Sequence, residues 1–100
     1  MKRTGTYTFV MEFRGGTYCS QLKASDIEQA LNKWTTSLKK NRADIKYLTV
    51  DKLTKLKEEI RNGERPVKLK GLKNIWFTRL LTMRDTVYLT IVKTDTTPNR

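Results

Sequence analysis

The chain has no histidine, one cysteine and two prolines, and only 10 of its 100 residues are acidic. Without histidine, proton transfer near neutral pH lacks its usual carrier. A lone cysteine, Cys19, forms no internal disulfide, and without histidine it makes no zinc or haem site of the common kinds. Cys19 therefore reads as a small strand residue, since free cysteine packs like a small hydrophobe. No serine or cysteine has an evident base beside it. No pair of carboxylates has a spacing that suggests acid–base work, and the adjacent Glu58 and Glu59 would point in different directions from a helix. These absences argue against an enzyme and against any cofactor or metal.

Long hydrophobic runs are missing too. None approaches the roughly 18 apolar residues of a membrane-spanning helix. The start, Met1-Lys2-Arg3, is basic, but Glu12 and Arg14 interrupt the next apolar stretch, so no secretory signal is formed. The expectation is a cytoplasmic protein.

What the chain has in excess is positive charge. Its 21 lysines and arginines against 10 acids give a net charge of +11. An imbalance of this size bears on partners and association, not on fold. It points to a polyanion: nucleic acid, an anionic membrane surface or an acidic protein. The excess is concentrated. Between Lys39 and Lys73 there are twelve basic and five acidic residues, net +7, leaving +4 for the rest of the chain.

The apolar residues, 37% of the chain, are periodic, which argues for a folded domain. Tyr7, Phe9, Met11 and Phe13 alternate with Thr8, Val10 and Glu12, the period of a half-buried strand. Gly15-Gly16 predicts the turn of a hairpin over residues 6–22, pairing Phe13 with Tyr18, Met11 with Ser20 and Phe9 with Leu22. Val10, Glu12, Cys19 and Gln21 fall on the more solvated face. Ser25-Asp26-Ile27-Glu28 reads as a capping box with Ser25 as N-cap. It opens a helix over 26–40 with Ile27, Ala30, Leu31, Trp34 and Leu38 as its apolar stripe and Asn41 as its stop.

Tyr47 to Val50 suggests a short strand. A second helix is expected from Asp51 as N-cap, with Leu53, Leu56 and Ile60 inward and Asn62-Gly63 as terminator. Pro66 opens an extended piece, Val67 to Lys70, which Gly71 ends. A closing hairpin follows, Ile75–Leu81 and Val87–Thr94, joined by residues 82–86. Apolar residues on both faces of these strands place at least one of them inside the sheet. The expected architecture is α+β: a mainly antiparallel sheet of about four to five strands with two helices on one face, in the order β-β-α-(β)-α-(β)-β-β. Residues 6–94 form one domain on this reading, with residues 1–5 and 95–100 as flexible ends.

The candidate binding residues follow from the charge. Lys52 and Lys55 lie one turn apart on the second helix, as do Lys57 and Arg61. Lys68 and Lys70 share one side of the extended piece, and Lys73 follows it. Neutralising phosphates with such side chains favours binding through counterion release, without reading sequence. Taken singly, each is an ordinary solvated lysine, some paired with Glu58, Glu59 or Glu64. Arg14, at the tip of the first hairpin, is an accessory candidate. The glycines beside it are explained by the turn, because a phosphate loop needs a helix directly after it. Tyr47, Trp76 and Tyr88 are candidates for base stacking, although core packing accounts for each.

No nucleic-acid module is recognisable. The glycine and aromatic signature of the RNA-recognition motif is absent, there is no zinc finger, and the order of elements is not that of the double-stranded-RNA domain. A helix-turn-helix would need a tight turn over 41–50. The leading expectation is a small non-catalytic domain binding nucleic acid, DNA or RNA, with weak sequence preference through residues 39–73. The alternative is a protein-interaction module, an adaptor, inhibitor or antitoxin-like partner of an acidic protein. The strand at 67–70 would then be an edge guarded by lysines, and homodimerisation by edge pairing is compatible with it. A lipid surface ranks last, since neither helix has the aromatic face and basic flanks of an interfacial anchor.

Overall fold

A computed structural model of the chain describes residues 4–62 and 66–94. The first hairpin pairs β1 (Gly5–Phe13) with β2 (Gly16–Ala24). Tyr7, Phe9, Met11 and Phe13 are buried, while Val10, Glu12, Cys19 and Gln21 lie on the more exposed side, as the alternation requires. The turn is displaced from Gly15-Gly16. Arg14 and Gly15 form it, with φ of 48° and 80°, the left-handed pair that suits the twist of two strands. Phe13 consequently faces Gly16, Met11 faces Tyr18 and Phe9 faces Ser20. A shift of two residues leaves every side chain on its face. At Gly16 a Cβ would come within 2.7 Å of the Tyr18 hydroxyl, so a larger residue there would displace the Tyr18 ring.

Helix α1 (Ile27–Lys40) is capped by Asp26 and not by Ser25. The Asp26 carboxylate accepts from the Gln29 amide at 2.8 Å. The Gln29 side chain in turn accepts from the Ser25 amide at 2.7 Å. The capping logic is the expected one, moved by one residue, with Gln29 taking the part assigned to Glu28. Ala30, Leu31, Trp34 and Leu38 are buried, and Ile27 packs at the margin. The Asn41 amide closes the helix by donating to the Ser37 carbonyl.

No strand forms over 47–50. The chain makes a short 3-10 turn at Arg42–Asp44, buries Ile45 and Leu48, and turns through Tyr47 at φ 68°. The cap of the second helix is Thr49, not Asp51: its hydroxyl accepts from the Lys52 amide at 3.2 Å. Helix α2 therefore spans Val50–Asn62. Leu53 and Leu56 are its buried residues. Gly63, the other half of the expected stop, lies outside the described residues.

The rest of the sheet is β3 (Val67–Lys68), β4 (Ile75–Thr82) and β5 (Asp85–Thr94). The extended piece to Lys70 pairs in register with β4 at Val67 and Lys68, and the Leu69 amide donates to the Ile75 carbonyl at 3.0 Å. The chain then turns through Gly71 at φ 79°. The link between β4 and β5 is shorter than the expected 82–86, being Met83 and Arg84 alone. The five strands are ordered β2-β1-β5-β4-β3, all antiparallel, so both strands of the closing hairpin are internal, β5 along its length and β4 where the short β3 flanks it. Gly5 belongs to β1 and pairs with Ala24, so the first strand reaches into the stretch expected to be flexible. Residues 1–3 and 95–100 lie outside the described residues.

Helix α1 packs against β2 and α2 against β4. Both cover the face that carries Phe9, Met11, Leu80, Val87, Leu89 and Ile91. The Phe9 and Trp34 rings lie parallel there, with centroids 5.3 Å apart. The fold is thus the expected α+β arrangement, and it leaves the opposite sheet face uncovered by any described element.

Candidate polyanion-binding surface

The predicted basic residues separate into three groups. Arg14 and Lys52 converge on Asp85, at the end of the molecule where both hairpin turns meet the start of α2. Lys52 Nζ lies 2.6 Å from one carboxylate oxygen of Asp85 and Arg14 Nη1 lies 3.3 Å from the other. The Asp85 and Lys52 side chains are only 14% and 17% exposed. Arg14 also stacks over the Tyr47 ring at 4.3 Å, and Lys52 sits 5.6 Å from the Phe13 ring. These contacts make Arg14 and Lys52 parts of a clasp that ties the first hairpin, α2 and the last hairpin together, with Lys52 mostly buried in it and the Arg14 side chain still 44% exposed.

The clasp holds the Asp85 carboxyl below its ordinary value. The bonding ammonium of Lys52 is the main cause, the charges of Lys52 and Arg14 add to it, and partial burial opposes them. A carboxyl whose pKa is depressed by folding stabilises the fold fully above its unfolded pKa, about 4, and loses that effect as pH falls through the folded value. Asp85→Asn is therefore expected to lower the melting temperature at pH 7 more than at pH 3. An equal loss at both pH values in thermal melts would contradict the clasp.

The second group lies on α2. Lys55 sits 4.0 Å from Glu58 in an exposed pair, a contact that adds little in water. Lys57 and Arg61 face the other way and line a groove of about 430 Å³ between α1 and α2. Leu31 and Ile60 contribute apolar surface to it, and Asn32, Thr36 and Glu28 line its α1 side. Lys57 and Arg61 make no ion pair among the described residues.

The third group is Lys68, Lys70 and Lys73, around β3 and the turn after it. Lys68 lies across from Trp76 on the helix-covered side and approaches its ring at 6.0 Å. Lys70 and Lys73 are exposed. Pro66 shares a small gap with Ile60, Thr78 and Leu80, which brings β3 beside the C-terminal half of α2. The second and third groups are thus neighbours, while Arg14 and Lys52 are engaged at the clasp. Glu59 accepts from the backbone amide of Leu81 at 3.4 Å, leaving Glu58 as the acid paired with this stretch.

Core packing does not account for two of the three aromatic candidates. Tyr47 is 57% exposed beneath Arg14, and Tyr88 is 44% exposed on the open sheet face. Trp76 is half-buried on the helix side beside Tyr7. Phe77 is also on the open face, with its ring 6.4 Å from that of Tyr88. Its alternation with Trp76 marks the face but not which face is covered.

Among the described residues no three His, Cys, Asp or Glu side chains are grouped as metal ligands, and no helix is long and apolar enough to cross a membrane. Comparison of the chain with protein-family models, curated proteins and solved structures finds no match.

Proposed function

We propose that this protein is a non-catalytic domain that binds a polyanion, nucleic acid with weak sequence preference. The observation that carries the proposal is the set Lys57, Arg61, Lys68, Lys70 and Lys73. None of them has an ion-pair partner among the described residues, in a chain of net charge +11. Unpaired surface cations keep their counterions until an anion displaces them, and that release favours binding to a dense line of phosphates. Lys55 belongs at the edge of this surface. Arg14 and Lys52 support it by holding α2 against both hairpins. The connection from Asn41 to Thr49 is longer than a helix-turn-helix allows, so insertion of one helix into a major groove is not part of the proposal.

Titration of a fluorescently labelled strand with the protein at low ionic strength tests the reading. A complex of micromolar or tighter affinity, formed with unrelated sequences alike, is expected. Absence of a complex with single-stranded and duplex forms of both DNA and RNA would remove it.

An acidic protein partner is the second reading, and the observation that favours it is β2. This outer strand is nine residues long, whereas β3, the expected edge at the other end of the sheet, has only two residues. A stoichiometric protein complex that persists after nuclease treatment would select this reading.

A further inference from the structure

We infer that the open face of the sheet is a stacking platform for a short single strand of nucleic acid, with the strand lying along β4 and β5. The inference rests on the polyanion-binding reading and adds to it a site and a form of ligand.

Three side chains define the platform. Phe77 and Arg79 are two residues apart on β4, so both point away from the helices. Tyr88 is paired across from Arg79 on β5. The Phe77 and Tyr88 rings stack on each other on this face, inclined by only 21° with centroids 6.4 Å apart. Tyr88 is exposed and Phe77 half-buried. Arg79 is exposed and makes no side-chain hydrogen bond or ion pair among the described residues. Around them lie Thr90, Val10 and Val67, in register across the sheet with Phe77.

Burial explains the helix-side aromatics but not these two. An exposed ring and a half-buried one on a sheet face that no described element covers form an apolar patch in water, and such patches mark contact surfaces. Charge selects the occupant. A second copy of this chain would bring another +11 against the first. The charged residues on this face are Arg79, Lys23 and Glu12, placed there by their cross-strand partners Tyr88, Thr6 and Thr17. Lys73 and Arg84 extend the positive line beyond the two ends of β4, both exposed. The eight residues of β4 cover about 26 Å at ~3.3 Å each. That length suits a strand of a few nucleotides, the lower end of known sites. Bases offer flat faces to the rings whatever their identity, and the phosphates meet Lys73, Arg79 and Arg84. A duplex keeps its bases stacked inside and gains only the phosphate contacts.

The test compares oligo(dT) with linear polyphosphate, an anion without bases, on the full chain and on Phe77→Leu and Tyr88→Leu. Leucine keeps an apolar side chain at each position, and circular dichroism melts check folding. Each variant is expected to lose about tenfold or more in oligo(dT) affinity and less than about twofold for polyphosphate. Nuclear magnetic resonance on the unaltered chain supplies a second measurement that does not depend on how a variant folds. Oligo(dT) is expected to shift Thr90, Val10 and Val67, on the open face. Unchanged oligo(dT) binding by folded variants overturns the platform, as do shifts confined to the α1–α2 groove, and the polyanion reading survives either result. Failure to bind both ligands overturns the two together. Sedimentation as a dimer that the same substitutions dissociate assigns the face to a second copy and also overturns the platform.

Discussion

Trp34→Ala is expected to remove about 3–5 kcal/mol of folding stability. Trp34 is 1% exposed, near the middle of α1, and its ring lies flat on Phe9 at 5.3 Å and 6°. That stack is the main point at which α1 is fixed over β1. Truncation to alanine takes away the transfer free energy of the indole and leaves a void that the two rigid elements cannot close. The site is already next to a hollow of about 340 Å³ between β2 and the end of α1, which Trp34 helps to line. Removing the ring opens that hollow into the core. Domains of this size have about 5–15 kcal/mol in total, so the variant sits near the limit of folding. Urea denaturation followed by circular dichroism measures the loss. A loss under about 1 kcal/mol would contradict the placement of Trp34 as the central packing contact.

The second large effect concerns binding. Replacing Lys57, Arg61, Lys68 and Lys70 together by alanine is expected to weaken binding of a nucleic-acid duplex, which does not stack on the open sheet face, by two orders of magnitude or more at low salt. The same replacement should flatten its salt dependence. Each phosphate contact contributes about 0.7 to 0.9 to the slope of log affinity against log salt, so four contacts would reduce the slope by roughly 3. The four side chains are surface groups without ion-pair partners among the described residues, and their loss is expected to leave stability nearly unchanged. Replacing Lys52 alone would behave differently. It would leave the half-buried Asp85 carboxylate facing only Arg14, and it would reduce stability more than affinity. This contrast separates the clasp from the binding surface.

The division between covered and open residues was readable from the alternation in β1 and from the stripe of α1, because one buried face imposes a period that the sequence must obey. Register was not. Arg14-Gly15 and Gly15-Gly16 give turns two residues apart in register, and both keep Phe9 and Met11 inward, so the hydrophobic pattern cannot choose between them. Tyr47 to Val50 has the composition of a strand, but Thr49 caps a helix and Leu48 fills the core from a loop. A four-residue run carries too little pattern to decide. The basic residues were readable as a set and not by role. The partner of Arg14 in the clasp, Asp85, is 71 positions away. No local rule joins them. The apolar residues on both faces of β4 and β5 do not show on which side Phe77 and Tyr88 are left open. The topology puts both helices on one side, and this turns their outward aromatics into surface.

The measurement closest to the central claim is the affinity of the unaltered protein for a labelled single strand across a series of salt concentrations. Polyanion binding predicts that log affinity falls linearly with log salt. The slope should correspond to several phosphate contacts, with a loss of an order of magnitude or more between about 50 and 200 mM. Binding that does not change with salt, or no binding at the lowest salt, would contradict it and leave the +11 charge as a property of solubility and association alone.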